Sequence, residues 1–407
     1  MTQLLKPLAR QRLRLAYFVS HPIQYQAPLL RLIAADPEID LRVFFYSDFS
    51  LKPYRDSEFG QTIQWDVPLT EGYPYEMLDC WGSQQWKGWW QQPIAQNIDQ
   101  CLKAGQFDAV WVHGWGWLCS LQAISAAARL GIPVLLRGEA HELKQATISQ
   151  SLKHRVKRWV LDRLFRKVAQ FLAIGTLNQQ FYQSYGIPDR QICQVPYAVD
   201  NEFFQQQAAL ARPNREGLRR SLGLEANRPI ILYAAKLIQK KRPQDLLAAY
   251  RLLSKDGQQE PDPYLLFVGD GALRSELERA GYHWQSIRFL GFRNQSELPA
   301  LYDLCDVFVL PSDFEPWGLS INEVMNTAKV VVVSDQVGCA IDLVKNGDNG
   351  RIFPVGDVPA LAEAIEWAIA HSTQAGKRSL QRIQTWSFEQ DLQGIKQALN
   401  NVNVKVG

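Results

Sequence analysis

The sequence predicts an α/β protein made of two doubly wound, Rossmann-like domains that face each other across a cleft. Three observations predict it. Short apolar runs alternate with stretches of helical periodicity, the mark of a parallel sheet covered on both faces. The alternation comes in two series, interrupted once by a polar stretch that fits neither. A length of 407 residues leaves room for two or three domains, at about 100–200 residues each.

In the first series, strands are expected over residues 15–19, 41–45, 109–113, 134–137 and 171–174, with helices over 28–35, 119–130 and 152–168. The strand runs are rich in Val, Leu and aromatic residues and too short to be helices. Residues 205–229 are rich in Gln, Ala and Arg and contain Pro213 and Gly217, so a linker with a short helix is expected. The second series has strands over 230–234, 265–268, 287–290, 307–310 and 330–333, and helices over 244–254, 272–280, 320–326 and 359–370. The expected division is a first domain over 1–204, the linker, a second domain over 230–385, and a terminal helix over 386–407 that crosses back to the first domain. In such sheets ligands sit beyond the carboxyl ends of the strands, which puts the expected site in the cleft.

Composition excludes several functions. The 44 Lys and Arg are nearly matched by 41 Asp and Glu, too even for a nucleic-acid coat or an acidic tail. No apolar run approaches the roughly 18–20 residues that span a bilayer. Met1 to Arg14 lacks the apolar core of a secretory signal. Cys80, Cys101, Cys119, Cys193, Cys305 and Cys339 form no C-x-x-C pair. Neither a zinc site nor a disulfide framework is expected, and a reducing, cytoplasmic setting is.

The most informative segment runs from Pro311 to Glu323, after the strand at 307–310 and into the next helix. Gly318 permits close approach of backbone to a ligand. The first amides of the helix, near Gly318 to Ser320, would face an anion. Glu315 in the loop and Glu323 one turn into the helix can reach one pocket, where carboxylates would accept hydrogen bonds from sugar hydroxyls. For Glu323 there is a competing account: Ser320-x-x-Glu323 has the spacing of a capping box. Glu315 has no such structural explanation.

With Gly318-Leu319 between them, Glu315-x7-Glu323 resembles the E-x7-E signature of family 4 retaining glycosyltransferases, which have the GT-B fold. Further segments share the resemblance in the right order: Pro196-Tyr-Ala-Val-Asp200, Ala235-Lys236-Leu237 with Lys241, Phe267-Val-Gly269-Asp-Gly271, Phe289-Leu-Gly291-Phe292 with Leu301-Tyr302, and Gly347-Asp-Asn-Gly350 with Asp357. They cover residues 190–365.

The resemblance implies roles for these positions. Lys236 and Lys241 would bind the donor diphosphate; the first is Arg in most members, so Lys236 keeps the charge and loses the bidentate fork. Arg242 stands where members carry Gly and could add a third charge. Glu323 would bind the ribose, Glu315 the transferred sugar, the amides of Gly318 and Leu319 the distal phosphate. Gly269, Gly291 and Phe292 would lie along the nucleotide. In the first domain, Ser20 to Tyr25 replaces the usual glycine-rich loop and offers His21 and Gln24 to donor or acceptor. Glu139 stands where members place a histidine beside the reacting sugar, with Arg137 and His141 close by; His113 matches an end-of-strand histidine that could equally be a core residue. The resemblance implies retention of anomeric configuration, a nucleoside-diphosphate sugar as donor, no metal and no cofactor.

Seven of the thirteen tryptophans lie between Trp81 and Trp117. Trp89, Trp90, Trp115 and Trp117 are candidates for stacking an acceptor sugar, Trp89 and Trp115 foremost, against the alternative that they pack and anchor loops. Residues 152–169 carry seven Lys or Arg against Asp162 alone, with Val156, Trp159, Val160 and Phe165 at helical spacing. This helix could rest on an anionic membrane, which suits a lipid-linked acceptor, or be an ordinary solvated face. The expected function is sugar transfer to a glycan or lipid-linked acceptor in cell-surface polysaccharide or glycolipid assembly, without nucleic acid as a partner. The alternatives are a catalytically silent nucleotide-sugar-binding subunit and a GT-B sugar-nucleotide epimerase.

Overall fold

The computed structural model describes residues 12–56, 58–81, 92–141, 152–254 and 262–403, apart from the side chains of residues 152–154. The first half contains β1 (Leu13–Val19), β2 (Ile39–Phe45), the hairpin β3 (Tyr54–Asp56) and β4 (Gln61–Ile63), β5 (Tyr75–Met77), the short pair β6 (Cys80–Trp81) and β7 (Ile94–Ala95), β8 (Ala109–His113), β9 (Val134–Arg137), β10 (Gln170–Ala173) and β11 (Ile192–Gln194). The second contains β12 (Ile230–Ala234), β13 (Tyr264–Val268), β14 (Ile287–Gly291), β15 (Val307–Leu310), β16 (Val330–Ser334) and β17 (Gly350–Phe353).

Two parallel sheets result, ordered β11-β10-β9-β8-β1-β2-β5 and β14-β13-β12-β15-β16-β17. Their burial explains the unbroken apolar runs. In β1, Ala16 and Phe18 join one core layer while Leu15, Tyr17 and Val19 join the other, because alternate side chains leave opposite faces and both faces carry helices. The order reverses beside β1 in one sheet and beside β12 in the other, the switch points where a crevice opens.

Three stretches differ from expectation. Residues 205–229 are not a free linker. The helices Asn201–Ala211 and Arg215–Ser221 pack on the second domain, Phe204 is fully buried, and Arg212 pairs with the buried Asp303 (3.0 Å). The helix expected over 359–370 runs from Val358 to Ile383, since Ala375, Ser379 and Ile383 find buried positions beyond its polar middle. The β3–β4 hairpin reaches across to the second domain, where Asn294 donates to the carbonyl of Gln64 (2.6 Å).

The chain then passes Trp386, stacked on Trp317 (5.6 Å between centroids), into the helix Phe388–Asn403. That helix lies on the first domain, where Phe388, Ile395, Ala398 and Leu399 share a core with Tyr17, Leu135 and Leu172. Among the described residues no helix is long and apolar enough to cross a membrane.

Candidate active site

The site is built from the segments just beyond the carboxyl ends of the second sheet's strands. β12 leads into Ala235 and Lys236, β13 into Gly269, β14 into Phe292, and β15 into the loop bearing Glu315. With Leu319 and Glu323 these line a cavity of about 480 Å³, a size typical of small-molecule sites. Gln24, Tyr25, Phe59 and Trp65 of the first domain form the facing wall. Gly269 has a φ of 126°, and a Cβ there would stand 2.1 Å from the carbonyl oxygen of Ala235. Only glycine lets these two turns meet. Gly291 is the last residue of β14 and sets Phe292 at the cavity.

Gly318, with a φ of 102°, occupies the N-cap of the helix Leu319–Met325. Ser320 therefore lies within the helix and makes no side-chain cap, so the capping-box account of Glu323 fails. Glu323 instead accepts a hydrogen bond from the Tyr302 hydroxyl (2.6 Å). Burial pushes its pKa up to about 7 despite that bond. Such a carboxyl changes charge near neutrality, a property that helix capping does not require.

Lys241 ends the turn Gln239–Lys241 and pairs with Glu315. Lys236 reaches across the cleft to Asp56 (3.2 Å) and Glu58 (2.6 Å) on the hairpin. Burial would raise the Asp56 pKa, but the Phe59 amide, the Lys236 ammonium and the Glu58 amide together hold it below the usual carboxylate range. Arg242 pairs with Asp245 (2.6 Å) on the following helix, so it is engaged elsewhere. Among the described residues no group of three or more His, Cys, Asp or Glu could hold a metal ion. The cavity thus presents the Lys236 ammonium, and a Glu315 carboxylate held from behind by Lys241, beside an apolar aromatic end and a carboxyl of raised pKa.

Residues 214–382 match the glycosyl transferases group 1 family, and residues 33–198 match the glycosyl transferase 4-like domain. The chain belongs to the group 1 glycosyltransferase family. It is 25% identical over 244 residues to the alpha-D-kanosaminyltransferase of Streptomyces kanamyceticus, covering 58% of this chain and 61% of that one, less than two thirds of that relative's length. It is 29% identical over 277 residues to the UDP-Gal:alpha-D-GlcNAc-diphosphoundecaprenol alpha-1,3-galactosyltransferase of Escherichia coli, covering 66% of this chain and 68% of that one. In fold it resembles the Anabaena protein HepE, crystallised in complex with UDP and glucose, with a TM-score of 0.68 and 19% identity over 96% of this chain and 100% of that one. The fold is GT-B.

In this glycosyltransferase the residues expected on the acceptor side take different places. Gln24 lines the cavity. His21 packs at a tilt against Phe49 (4.2 Å between ring centres) and bonds Ser20 Oγ (2.9 Å); burial, then the neighbouring His113, push its pKa down to about 4, so it is neutral at pH 7. His113, the last residue of β8, meets Glu139, two residues beyond β9, with His113 Nε2 3.9 Å from the Glu139 carboxylate, and both bond the Tyr197 hydroxyl. Burial pushes the His113 pKa below its ordinary value, against the pull of Glu139. Burial opposes ionisation of Glu139 too, but His113, Tyr197 and Arg137 outweigh it and lower its pKa.

One expectation needs correction. Arg137 is 1% exposed and spends its guanidinium on the carbonyls of Val195 and Pro196 (both 3.1 Å) and on Asp391 (3.0 Å). It ties the terminal helix to the first domain and is no acceptor ligand. Glu139 bonds within its own domain, and the residue of its loop that touches the donor loop is His141. The His141 ring stacks on Phe314 (4.8 Å) and its Nε2 lies 3.1 Å from the carbonyl oxygen of Glu315. Trp115 is engaged in packing, parallel to Phe181 (6.2 Å) and edge-on to Phe165 (5.5 Å). Trp89 and Trp90 lie outside the described residues. Sequence reasoning missed Tyr25, Phe59 and Trp65. The Phe59-Gly60 turn between two short β-type runs was a usable hairpin signal.

Proposed function

We propose that the enzyme transfers a sugar from a nucleoside-diphosphate sugar to a glycan or lipid-linked acceptor, with retention and without a metal, in cell-surface polysaccharide or glycolipid assembly. One observation carries the reading: a single cavity between the domains gathers Lys236, Glu315 and Glu323 from separate segments, and Lys241 joins it through Glu315. The UDP-sugar and diphosphoundecaprenol in the E. coli relative's name support the donor and acceptor classes. Lys236 and Lys241 would release their carboxylates to the donor diphosphate, and Glu323 would accept from the ribose hydroxyls. As the bond from the anomeric carbon to phosphate breaks, its electron pair goes to the diphosphate, where the two ammonium groups stabilise it. The acceptor oxygen would attack from the same face, its proton passing to a phosphate oxygen.

Binding should depend on pH in a defined direction. In the empty enzyme the raised Glu323 pKa contributes stability that is complete below its unfolded value near 4.5 and is lost as pH rises through about 7. Ribose hydroxyls bond the ionised carboxylate more strongly, so binding expels the proton. Affinity for the cognate nucleoside diphosphate is expected to rise by up to about tenfold per unit as pH climbs towards 7, then level off. Thermal unfolding or calorimetry with EDTA present measures it. Glu323→Gln should bind more weakly and lack that part of the slope. Absence of binding by any nucleoside diphosphate at millimolar concentration would overturn the donor site.

A lipid-facing surface is the second element of the reading. In the helix Leu152–Phe165, Leu161, Leu164 and Phe165 pack into the core. Val156, Trp159 and Val160 stand 53%, 59% and 48% exposed, among the exposed Arg155, Lys157, Arg158 and Arg163. Exposed apolar groups ringed by cations suit an anionic bilayer. The enzyme should co-sediment with vesicles containing phosphatidylglycerol and not with pure phosphatidylcholine. Trp159→Ser together with Val160→Ser should weaken that binding several-fold while leaving the melting temperature unchanged.

A further inference from the structure

We propose that the β3–β4 hairpin and Trp65 of the first domain form one side of the nucleobase slot, so that base selection is shared between the two domains. The proposal rests on the donor reading of the cavity. Phe292, just after β14, meets Phe59 edge to face at 5.2 Å and Trp65 at 6.5 Å between ring centres. All three rings are half-buried and line the same cavity. They stand beside Lys236, whose Nζ lies 4.8 Å from the centre of the Phe59 ring. An apolar aromatic recess next to a cation is what a base attached to a diphosphate requires: flat faces to stack on, and positive charge one step away.

The hairpin is positioned for this from both ends. Asp56 accepts from the amides of Glu58 and Phe59 (2.8 and 2.9 Å), and Gly60 turns the chain with a φ of 71°, which sets Phe59 at the tip. On the far side Gln64 and Asp66 bond Asn294 and Ser296 of the segment after β14. The ordinary alternative is a strut that merely holds the domains together. A strut has no preference among bases, whereas a stacking wall that shapes the slot does.

The test is calorimetric titration of wild type, Phe59→Leu and Trp65→Leu with UDP, ADP, GDP and inorganic pyrophosphate, with melting temperatures to confirm folding. A wall that shapes the slot predicts that wild type prefers one nucleotide by fit, and loss of a stacking face predicts that each variant binds it about tenfold or more weakly. The preference over the other bases should narrow, while pyrophosphate binding stays unchanged. Unaltered affinity and base preference in both variants would overturn the proposal and leave the donor site standing. So would a parallel loss for nucleotide and pyrophosphate, the signature of a strut. Wild type that binds none of the four would overturn the donor reading and this inference with it.

Discussion

Lys241→Ala is expected to reduce turnover by about 100- to 1,000-fold, the usual effect of removing one fixed group that stabilises charge developing in the transition state. In the proposed mechanism its ammonium has two tasks, which the variant removes together: it would neutralise the leaving diphosphate, and it holds Glu315. Glu315→Gln separates them. It keeps an oxygen to accept from Lys241 but loses the charge beside the sugar, so kcat should fall while affinity for the free nucleoside diphosphate does not. Lys241→Ala should weaken both. The Lys241 and Glu315 side chains are only 19% and 15% exposed, so the alanine variant leaves a partly buried carboxylate unpaired, and a melting curve must accompany the kinetics. Product NMR with wild type reads the anomeric configuration directly, and an inverted product would overturn the retaining assignment. Equal nucleotide affinity in wild type and Lys241→Ala would remove Lys241 from the diphosphate.

Asp391→Ala should destabilise the protein by about 3–5 kcal/mol, because it strands the Arg137 guanidinium in the core. The side chains of the pair are 2% and 1% exposed. Burial pushes the Asp391 pKa up to about 6 even with Arg137 opposing it, so desolvation outweighs the attraction between the charges. Such a pair adds little net stability when intact, yet it is costly to break. Arg137→Met combined with Asp391→Leu should therefore recover most of the loss. Denaturant unfolding of the two single variants and the double variant measures this, and additive losses would refute it. The raised Asp391 pKa gives a sign as well. Its contribution is complete below the unfolded value near 4 and is lost as pH rises through about 6, a slope that Asp391→Asn should lack.

Much of the core was legible one segment at a time. β8, β9, β12 and β15 begin and end where the apolar runs do, because a strand buried on both faces needs an unbroken apolar run and shows it locally. The donor side was legible for a related reason. Glu315, Gly318 and Glu323 belong to one strand–loop–helix turn, and Gly269 and Phe292 come directly after their own strands, so short spacings already bring them to one edge of a sheet. The capping-box ambiguity at Glu323 was decided only by the φ of Gly318, which starts the helix one residue before Ser320.

Local pattern could not hold the choice of partners far apart in the chain. Arg137 at the end of a strand reads as a site residue until Asp391, 254 positions away, arrives to pair with it. Lys236 reads as a free cation until Asp56, 180 positions before it, crosses the cleft on a hairpin. Trp115 could have been a sugar platform and became packing once Phe165 and Phe181 closed on it. Sequence alone determined the two sheets, the family and the strand-end edge where Glu315, Gly318 and Glu323 gather, since hydrophobic period and motif spacing are properties of neighbouring residues. Tertiary structure decided which charges are spent on holding the protein together and which face the cleft, since a charge is committed only when burial and a distant partner meet at the same place.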